Sequence, residues 1–354
     1  METKEESYNL NTILNNLLEI ESSLELSKKL NIARGTIERW KTLNKIPKSY
    51  TFDLMKLASI NIDYSKFDFK DKDQYFTPNK TCKKCYDKLL EILNSYNDSE
   101  KNYIFIEPSA GNGNFLKILP KDRRIGLDIE PRTDEILEHD YLYWNPELSD
   151  EKKYIVIGNP PFGLRGQQAL KFINHSSNFA DYVCFILPQL FESDGKGVPR
   201  KRVEGLNLIH SEKIDTEFES PDGKAIKIEC IYQIWSKYKK NDLYNIEKLD
   251  NSIIKIYSLS DGETPSTTRN KKMFNKCDIY LPSTCFGKDN MKYYNSFSEL
   301  PRKKGYGIVF NEDKIKNVEI FKKIDWSDVA FLSTNSAYNI RSSQIINKFM
   351  KTKE

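Results

Sequence analysis

The stretch YIFIEPSAGNGNFLKIL, residues 103 to 119, decides the fold. Its first four residues are apolar or aromatic and predict a short buried strand. Gly111 and Gly113 then let the backbone turn and pass close to a ligand. The last six residues predict the start of a helix. The stretch therefore predicts a strand, a glycine loop and a helix, the repeating unit of an α/β sheet.

Similar units follow along the chain. One helix is predicted from about Cys82 to Leu93, before the first strand, and another from about Gln167 to Phe179. Further apolar strands are predicted at residues 124–127, 154–157, 182–187 and 227–235. Short apolar strands that alternate with helices favour a parallel sheet with helices on both faces.

Changes in composition divide the chain into three predicted domains. Residues 1–65 carry apolar residues at helical spacing and predict a small helical domain. Residues 66–244 would form the α/β domain. In residues 245–354 turn formers, tyrosine, lysine and serine dominate, which predicts a separate domain of mixed α/β or irregular structure.

The helical domain contains LELSKKLNIARGTIERWKT, residues 24 to 42, which resembles a helix-turn-helix. Its second helix would carry Arg34, Thr36, Glu38 and Arg39, and these side chains could then contact DNA phosphates or bases. A helical hairpin that merely packs on the next domain is the alternative.

The bulk composition excludes several classes of protein. Of the 354 residues, 38% are hydrophobic and 30% charged, which is typical of a globular rather than a disordered chain. No apolar run approaches the roughly 18 residues of a membrane span, and METKEESYNL lacks a signal-peptide pattern. We therefore expect an intracellular protein without a membrane partner. The six cysteines would be reduced, and Cys82 and Cys85 favour two thiols on a helix over half a zinc site, so no metal is expected.

Glu107 and Asp128 stand at the ends of two successive predicted strands, and a third acid, Asp140, follows in HDYLYW. In an open parallel sheet, ligands bind outside the carboxyl ends of the strands. A phosphate site would favour Lys, Ser or Thr beside the glycines over a group of carboxylates. Acids around a glycine loop therefore indicate a cationic, phosphate-free nucleoside, and the ligand we infer is S-adenosylmethionine.

The strand at residues 154–157 runs into GNPPFG, residues 158 to 163. Pro160 and Pro161 lack backbone donors and fix φ, so they make a rigid turn. The side-chain oxygen of Asn159 and the carbonyl of Pro160 could accept hydrogen bonds from an exocyclic amine on a base, and Phe162 could stack on that base. Such an amine is a poor nucleophile, so positioning and electrostatics would supply the catalysis. A base in a duplex would have to flip out to reach this turn.

These motifs resemble those of a known family. EPSAGNGNF, GLDIEP, HDYLYW and GNPPFG, in this order, are similar to successive motifs of gamma-class adenine amino-methyltransferases that act on DNA, and DQYFTP (residues 73 to 78) is similar to the motif upstream of them. The resemblance covers residues 73 to about 235. It implies a Rossmann-like methyltransferase sheet, double-stranded DNA as the partner and target recognition by residues 245–354. It leaves open whether a restriction endonuclease accompanies the enzyme.

The resemblance also implies roles for individual residues. Asn159, Pro160, Pro161 and Phe162 would be catalytic. The implied cofactor-binding residues are Thr77, Pro78, Glu107, Pro108, Ala110, Gly111, Asp128, Ile129, Asp140 and Tyr141. Phe162 and Phe218 would hold the flipped base.

Two basic regions are further candidates for contact with DNA. The loop GKGVPRKR follows the strand at residues 182–187 and carries Lys196, Arg200, Lys201 and Arg202, which could bind phosphates. The C-terminal region carries Arg269, Lys271, Arg302 and Lys303. We assign it to target recognition by elimination, since no readable code identifies it.

Five other functions stay open at this point. An RNA base amino-methyltransferase or a protein-glutamine methyltransferase would face the same chemical problem at the amine or amide nitrogen. Cytosine could replace adenine as the DNA target. A DNA-binding regulator would need a degenerate pocket, which the motifs do not show, and a fused nuclease at PDGKAIKIE (residues 221 to 229) lacks convincing spacing of acids and lysine.

Overall fold

The computed structural model describes residues 9–30, 32–149, 151–193, 198–244, 252–264, 267–332 and 336–353. The chain forms two compact units. One comprises Met1–Tyr75 and Ser220–Lys224, and the other Phe76–Glu219 and Ala225–Glu354. No helix within the described ranges is long and apolar enough to cross a membrane.

The first unit is helical. It contains α1 (Leu10–Ile20), α2 (Ser23–Lys29), α3 (Arg34–Leu43) and α4 (Thr51–Leu57). Ser22 begins α2 with a capping box, in which its hydroxyl accepts from the amide of Glu25 and the Glu25 carboxylate accepts from the amide of Ser22. The four helices bury one core of apolar side chains: Ile13, Leu14, Leu17, Leu26, Leu30, Ile37, Trp40, Leu54 and Met55.

The second unit is built on a seven-stranded sheet with the strand order β3-β2-β1-β4-β5-β9-β6. Its strands are β1 (Tyr103–Glu107), β2 (Arg124–Asp128), β3 (Ile136–Glu138), β4 (Lys153–Gly158), β5 (Tyr182–Pro188), β6 (Asn207–Ile214) and β9 (Cys230–Ser236). A small hairpin of β7 (Glu217–Glu219) and β8 (Ala225–Lys227) stands between β6 and β9 in the chain. The α/β prediction is confirmed.

One side of the sheet contains a strand whose antiparallel direction was not predicted. Strands β1 to β5 are parallel, but β9 is antiparallel to both β5 and β6. The predicted parallel course is therefore wrong for β9, and β6 was not expected. Strands β1, β2, β4 and β5 all end at one edge of the sheet, which we call the carboxyl edge.

The helices also differ from their predicted extents. Before β1 lies α5 (Asn79–Ser95), and between β4 and β5 lies α6 (Gln167–Ser176). After the glycine loop, only a 3₁₀ turn, Leu116–Ile118, forms where a helix was predicted. Pro120 explains this difference, because a residue that precedes a proline avoids the helical region, and Leu119 is extended with ψ 151°.

Strand β6 lies at the outer edge of the sheet, and the segment after β9 covers part of it. The side-chain amide of Asn241 donates to the carbonyl of Ile209 over 3.1 Å. The amide of Ser211 donates to the hydroxyl of Tyr244 over 2.9 Å. Two backbone groups of this edge strand are thus bonded to side chains of the same chain.

The C-terminal part of this unit has two small sheets. One has the order β10-β13-β11 and consists of β10 (Ile254–Ser260), β11 (Ile279–Pro282) and β13 (Lys304–Phe310). The other has the order β12-β15-β14 and consists of β12 (Thr284–Phe286), β14 (Phe331–Leu332) and β15 (Ala337–Asn339). The helices α7 (Lys314–Lys322), α8 (Trp326–Val329) and α9 (Ser342–Lys353) contribute to a core with Phe310, Phe321, Trp326 and Phe349 at its centre.

Candidate active site

Asp128, at the end of β2, holds the glycine loop (residues 108–114) in place. Its Oδ2 accepts a hydrogen bond of 2.7 Å from the amide of Gly111, and its Oδ1 accepts one of 2.8 Å from the amide of Glu130. The amide of Ala110 also donates to the carbonyl of Leu127 over 2.8 Å. The loop after β1 therefore folds across the end of β2, and the half-buried Ile129 follows at the same edge.

Glu107, the last residue of β1, lies beside the end of β4. Its Oε2 accepts a hydrogen bond of 3.1 Å from the amide of Leu116. A Cβ added at Gly158 would lie 3.4 Å from its Cγ and 3.5 Å from Cδ of Pro108. Because Gly158 precedes Asn159 directly, the Glu107 carboxyl group is close to the backbone of the Asn-Pro-Pro-Phe turn.

Two carboxyl groups are thus buried at the carboxyl edge, Glu107 with 3% and Asp128 with 9% of its surface exposed. Burial raises the pKa of Glu107 well above its ordinary value, and the charge of Asp128 raises it further. Burial is also the main cause of the raised pKa of Asp128, which the charge of Arg132 counters only in part. Each ionised carboxylate here is short of positive charge, so a cationic ligand fits this donor set.

Phe76 and Thr77 face the glycine loop from the segment before α5. The carbonyl of Thr77 accepts a hydrogen bond of 2.8 Å from the side-chain amide of Asn114. Among the described residues, the buried hydroxyl of Thr77 has no hydrogen-bond partner. A Cβ added at Gly111, whose φ is +54°, would lie 3.0 Å from the ring of Phe76. The guanidinium of Arg132 lies over the same ring at 4.9 Å.

The turn at residues 159–162 is held from two sides. The hydroxyl of Ser109 donates to the carbonyl of Asn159 over 3.1 Å, which joins the turn to the glycine loop. The carbonyl of Phe162 accepts from the amides of Gln168 and Ala169, which joins it to the first turn of α6. The side-chain Oδ1 of Asn159 is buried, and 7% of Phe162 is exposed. Pro160 is buried and Pro161 half-buried.

Three other residues that were predicted to bind the cofactor or the base are engaged or buried within the chain. Asp140 accepts a hydrogen bond of 3.1 Å from the amide of Leu142, and this bond caps the 3₁₀ turn Tyr141–Tyr143. The ring of Tyr141 is 1% exposed, packs among aromatic side chains of α6 and the residues after it, and its hydroxyl bonds Ser176 over 2.6 Å. The ring of Phe218 is 1% exposed as well. In this conformation neither ring presents a face to a ligand.

The predicted DNA-contacting residues are partly engaged within the chain. Arg200 donates to the carbonyl of Tyr244, and Arg202 donates to the side-chain oxygen of Gln167 over 3.1 Å, while Lys201 is exposed. Lys196 lies outside the described residues.

In the helical unit, Arg39 is exposed and Thr36 is half-buried. Arg34 donates to the hydroxyl of Ser23 over 3.3 Å and lies 4.0 Å from the carboxylate of Glu38. Arg34 therefore links α2 to α3.

Four residues of this edge were not selected from the sequence. Phe76 stands inside the DQYFTP motif, where only the next two residues were chosen. Ser109 and Asn114 stand in the glycine loop, and Arg132 follows the acidic end of β2. Ser109 lies 50 residues from its partner Asn159 and Asn114 lies 37 residues from its partner Thr77, and no local pattern marks such pairs.

The sequence matches no family model and no curated protein. Solved structures with some likeness include a protein from Pyrococcus horikoshii provisionally named an RNA methyltransferase, with 21% identity over 46% of this chain and 86% of that one and a TM-score of 0.34. The modification subunit of a provisionally named type I restriction enzyme from Vibrio vulnificus YJ016 has 12% identity over 69% of this chain and 60% of that one, with a TM-score of 0.33. The type IIL restriction-modification enzyme MmeI in complex with DNA has 10% identity over 86% of this chain and 73% of that one, with a TM-score of 0.43. These likenesses are weak, and the function has to be inferred from the residues of the site.

Proposed function

We propose that this chain transfers a methyl group from S-adenosylmethionine to the exocyclic amino group of adenine in double-stranded DNA. One observation carries the proposal. The rigid turn at residues 159–162 lies at the carboxyl edge, joined through Ser109 to a glycine loop that two buried carboxyl groups flank. The motif order that resembles gamma-class adenine methyltransferases supports the same assignment.

The chain has groups that fit the cofactor. S-adenosylmethionine supplies an activated methyl group on a sulfonium, and it carries an ammonium as a second positive charge. A bound cation would favour the ionised forms of Glu107 and Asp128, which would then balance its charge, and Asp128 would also bind the ribose hydroxyls. The glycines of the loop allow the ligand to approach the backbone closely. The hydroxyl of Thr77, which has no hydrogen-bond partner among the described residues, can donate a hydrogen bond to the ligand or accept one from it.

The turn at residues 159–162 would orient the amine, which is a weak nucleophile. The side-chain oxygen of Asn159 and the carbonyl of Pro160 accept hydrogen bonds from its two N–H groups, and this directs the nitrogen lone pair towards the methyl group. S-adenosylmethionine would supply the methyl group, its sulfur would keep the electron pair of the broken carbon–sulfur bond, and the methylated amine would release one proton to solvent. Phe162 stacks on the base, which must leave the duplex to reach this edge.

Basic residues of the C-terminal part support contact with the duplex. The amide of Asp261 donates to the carbonyl of Lys303 over 3.0 Å, and the carbonyl of Ser260 accepts from the amide of Arg269 over 2.8 Å. These bonds bring two basic segments, residues 269–272 and 302–304, to the same end of β10 and β13. Both segments are exposed, although the guanidinium of Arg302 lies over the ring of Phe286 at 4.7 Å, and their charges suit DNA phosphates. The helix-turn-helix-like unit adds Arg39 as a further phosphate contact.

The test is transfer of labelled methyl to unmethylated genomic DNA, followed by chromatography of the nucleosides. We expect label in methyladenosine. Asn159→Ala should lower the rate by at least about 10²-fold, the loss typical of one preorganised hydrogen-bonding group, while a calorimetric titration shows little change in cofactor affinity. Asn178→Ala, at an exposed asparagine after α6, is the matched control and should keep full activity.

The other outcomes separate the alternatives. Label in methylcytosine would move the target to the other amino base. Cofactor binding without label in DNA would replace this proposal by an RNA base or a protein glutamine as the acceptor. An Asn159→Ala variant with near-normal turnover would remove the turn from the chemistry.

A further inference from the structure

The turn at residues 163–166, which we call the Leu-Arg turn, follows the catalytic turn directly and is anchored at both ends. The amide of Gly166 donates to the carbonyl of Gly163 over 3.2 Å. A Cβ added at Gly163 would lie 2.8 Å from Cβ of Gln168 in α6, and one added at Gly166 would lie 2.9 Å from the ring of Phe191. Both glycines have positive φ, 65° and 72°, so this backbone path requires them.

Two larger side chains project between these anchors. Leu164 is 45% exposed, although the turn around it is tightly packed. Arg165 is exposed as well and takes a φ of +56°, a conformation that residues other than glycine rarely adopt. Within the described ranges, its guanidinium forms no ion pair with a carboxylate. The anchored backbone thus presents an apolar side chain and a cation at neighbouring positions on the surface.

The Leu-Arg turn lies close to the proposed site of methyl transfer. The Cβ built at Gly166 also lies 3.5 Å from Pro188, the last residue of β5, and 3.5 Å from Pro199. The Leu-Arg turn therefore lies at the carboxyl edge, between the ends of β4 and β5. Any base that reaches Asn159 leaves its duplex next to this edge.

A duplex with one base extruded has two features that these side chains fit. The extruded base leaves a gap in the stack, and an apolar side chain can fill it and restore contact with the neighbouring bases. The phosphates on either side of the extruded nucleotide are negative and attract a guanidinium. A flexible loop would lose much of this benefit on ordering, whereas an anchored turn is already in place.

We propose that the Leu-Arg turn is the wedge that opens the duplex: Leu164 enters the gap left by the target adenine, and Arg165 binds a phosphate beside it. This inference rests on the proposed function, because it requires a base to be extruded from DNA. It assigns a DNA-opening role to residues that neither bind the cofactor nor touch the reacting atoms.

The first test compares Leu164→Ala with the unaltered chain on two duplexes that differ only at the target, where adenine is paired with thymine or mispaired. We expect transfer to the paired adenine to fall about tenfold or more, because opening now lacks a wedge, and transfer to the mispaired adenine to fall much less. A 2-aminopurine at the target should show a smaller rise in fluorescence with the variant. Cofactor affinity should stay unchanged, which shows that the site is folded.

The second test concerns Arg165→Ala. The slope of log Kd against log salt for duplex DNA should decrease by about one unit, as expected for one lost phosphate contact. Leu148→Ala and Lys121→Ala are the matched controls. Both residues are exposed and stand just before β4 and β2, at the opposite edge of the sheet, so neither change should alter opening or the salt slope.

The outcomes distinguish this inference from the function on which it rests. If the unaltered chain methylates adenine and Leu164→Ala loses equally on paired and mispaired targets, the wedge is overturned and the function stands. An unchanged salt slope for Arg165→Ala overturns the phosphate contact. If the unaltered chain methylates no adenine in either duplex, both inferences are overturned together.

Discussion

The hydroxyl of Ser109 donates a hydrogen bond of 3.1 Å to the backbone carbonyl of Asn159, across 50 residues of sequence. This bond connects the glycine loop after β1 to the turn after β4. The carbonyl of Asn159 belongs to the peptide that leads into Pro160, so the bond also fixes the direction of the turn. One serine hydroxyl therefore joins the proposed cofactor-binding loop to the proposed acceptor of the amine.

Ser109→Ala should lower the rate of methyl transfer. A hydrogen bond of this kind contributes about 0.5–1.5 kcal/mol, so we expect a loss of about two- to tenfold. The effect should appear in the single-turnover rate, with cofactor affinity nearly unchanged. Ser95→Ala removes a similar hydroxyl-to-carbonyl bond at the end of α5 and serves as the control. Equal rates for Ser109→Ala and the unaltered chain would show that the link does not orient the turn.

Glu107→Gln should increase stability as it removes function. Burial raises the pKa of Glu107, so the folded chain keeps this proton at pH values where the unfolded chain has lost it. The carboxyl group therefore costs stability as the pH rises above its ordinary value of 4.5, and the glutamine does not. Without cofactor, the variant should gain free energy of unfolding over the unaltered chain as the pH rises, and it should bind the cationic cofactor more weakly.

Urea unfolding at a series of pH values measures this difference, and other titrating groups cancel because both proteins share them. Glu204→Gln, at an exposed position, is the control. A difference in unfolding free energy that stays constant with pH would mean that Glu107 ionises normally in the folded chain.

Gly111→Ala and Gly223→Ala form a matched pair. Both glycines have positive φ, 54° and 79°, so both alanines bear a conformational cost of about 1–2 kcal/mol. Nothing lies within 4 Å of a Cβ built at Gly223, whereas the one at Gly111 meets the ring of Phe76 at 3.0 Å. Gly111→Ala should therefore cost more stability than Gly223→Ala, and it alone should weaken cofactor binding.

The contact with Phe76 can be isolated by a double-mutant cycle. Phe76→Leu shortens the side chain and should relieve part of the additional loss in Gly111→Ala, as measured by chemical unfolding and by calorimetric titration of the cofactor. Equal losses of unfolding free energy in Gly111→Ala and Gly223→Ala would show that the ring of Phe76 moves aside at no energetic cost.

Gln189→Leu should loosen the attachment of the C-terminal part to the seven-stranded sheet. Gln189 follows β5, is 4% exposed, accepts a hydrogen bond of 2.9 Å from the amide of Leu332 and donates one of 3.2 Å to Glu229. The leucine leaves the Leu332 amide without its partner, at a cost of about 1–3 kcal/mol. Hydrogen exchange at Leu332 should become faster. Gln344→Leu, which breaks bonds within the C-terminal part, should leave that amide protected.

Much of the central sheet could be predicted from the sequence because its signals are local. Strands β1, β2, β4 and β5 are runs of apolar residues, and glycines or prolines mark where several of them end. Because parallel strands end at a common edge, the acids after β1 and β2 could be placed together from their order alone. The glycine loop and the rigid turn after β4 follow from the conformational limits of glycine and proline.

Other features depend on information that the local sequence does not hold. An apolar run has no direction, so the antiparallel course of β9 could not be read from CIYQIWS. Strand β6 carries His210, Ser211 and Glu212 in its middle, which is polar for a strand, and pairing with β9 supplies its stability. Tyr141 stands in a motif that resembles a ligand-binding one, but its ring completes an aromatic cluster with α6.

The covered border of β6 has a consequence for how this protein behaves at high concentration. A long outer strand with free backbone groups can pair with the same strand of another molecule and start growth of a fibrous aggregate. Asn241 and Tyr244 occupy the carbonyl of Ile209 and the amide of Ser211, two of the groups through which such growth would begin. The segment after β9 thus opposes aggregation by occupying these backbone groups. Substitutions that remove the two side chains would free the groups to pair with another molecule.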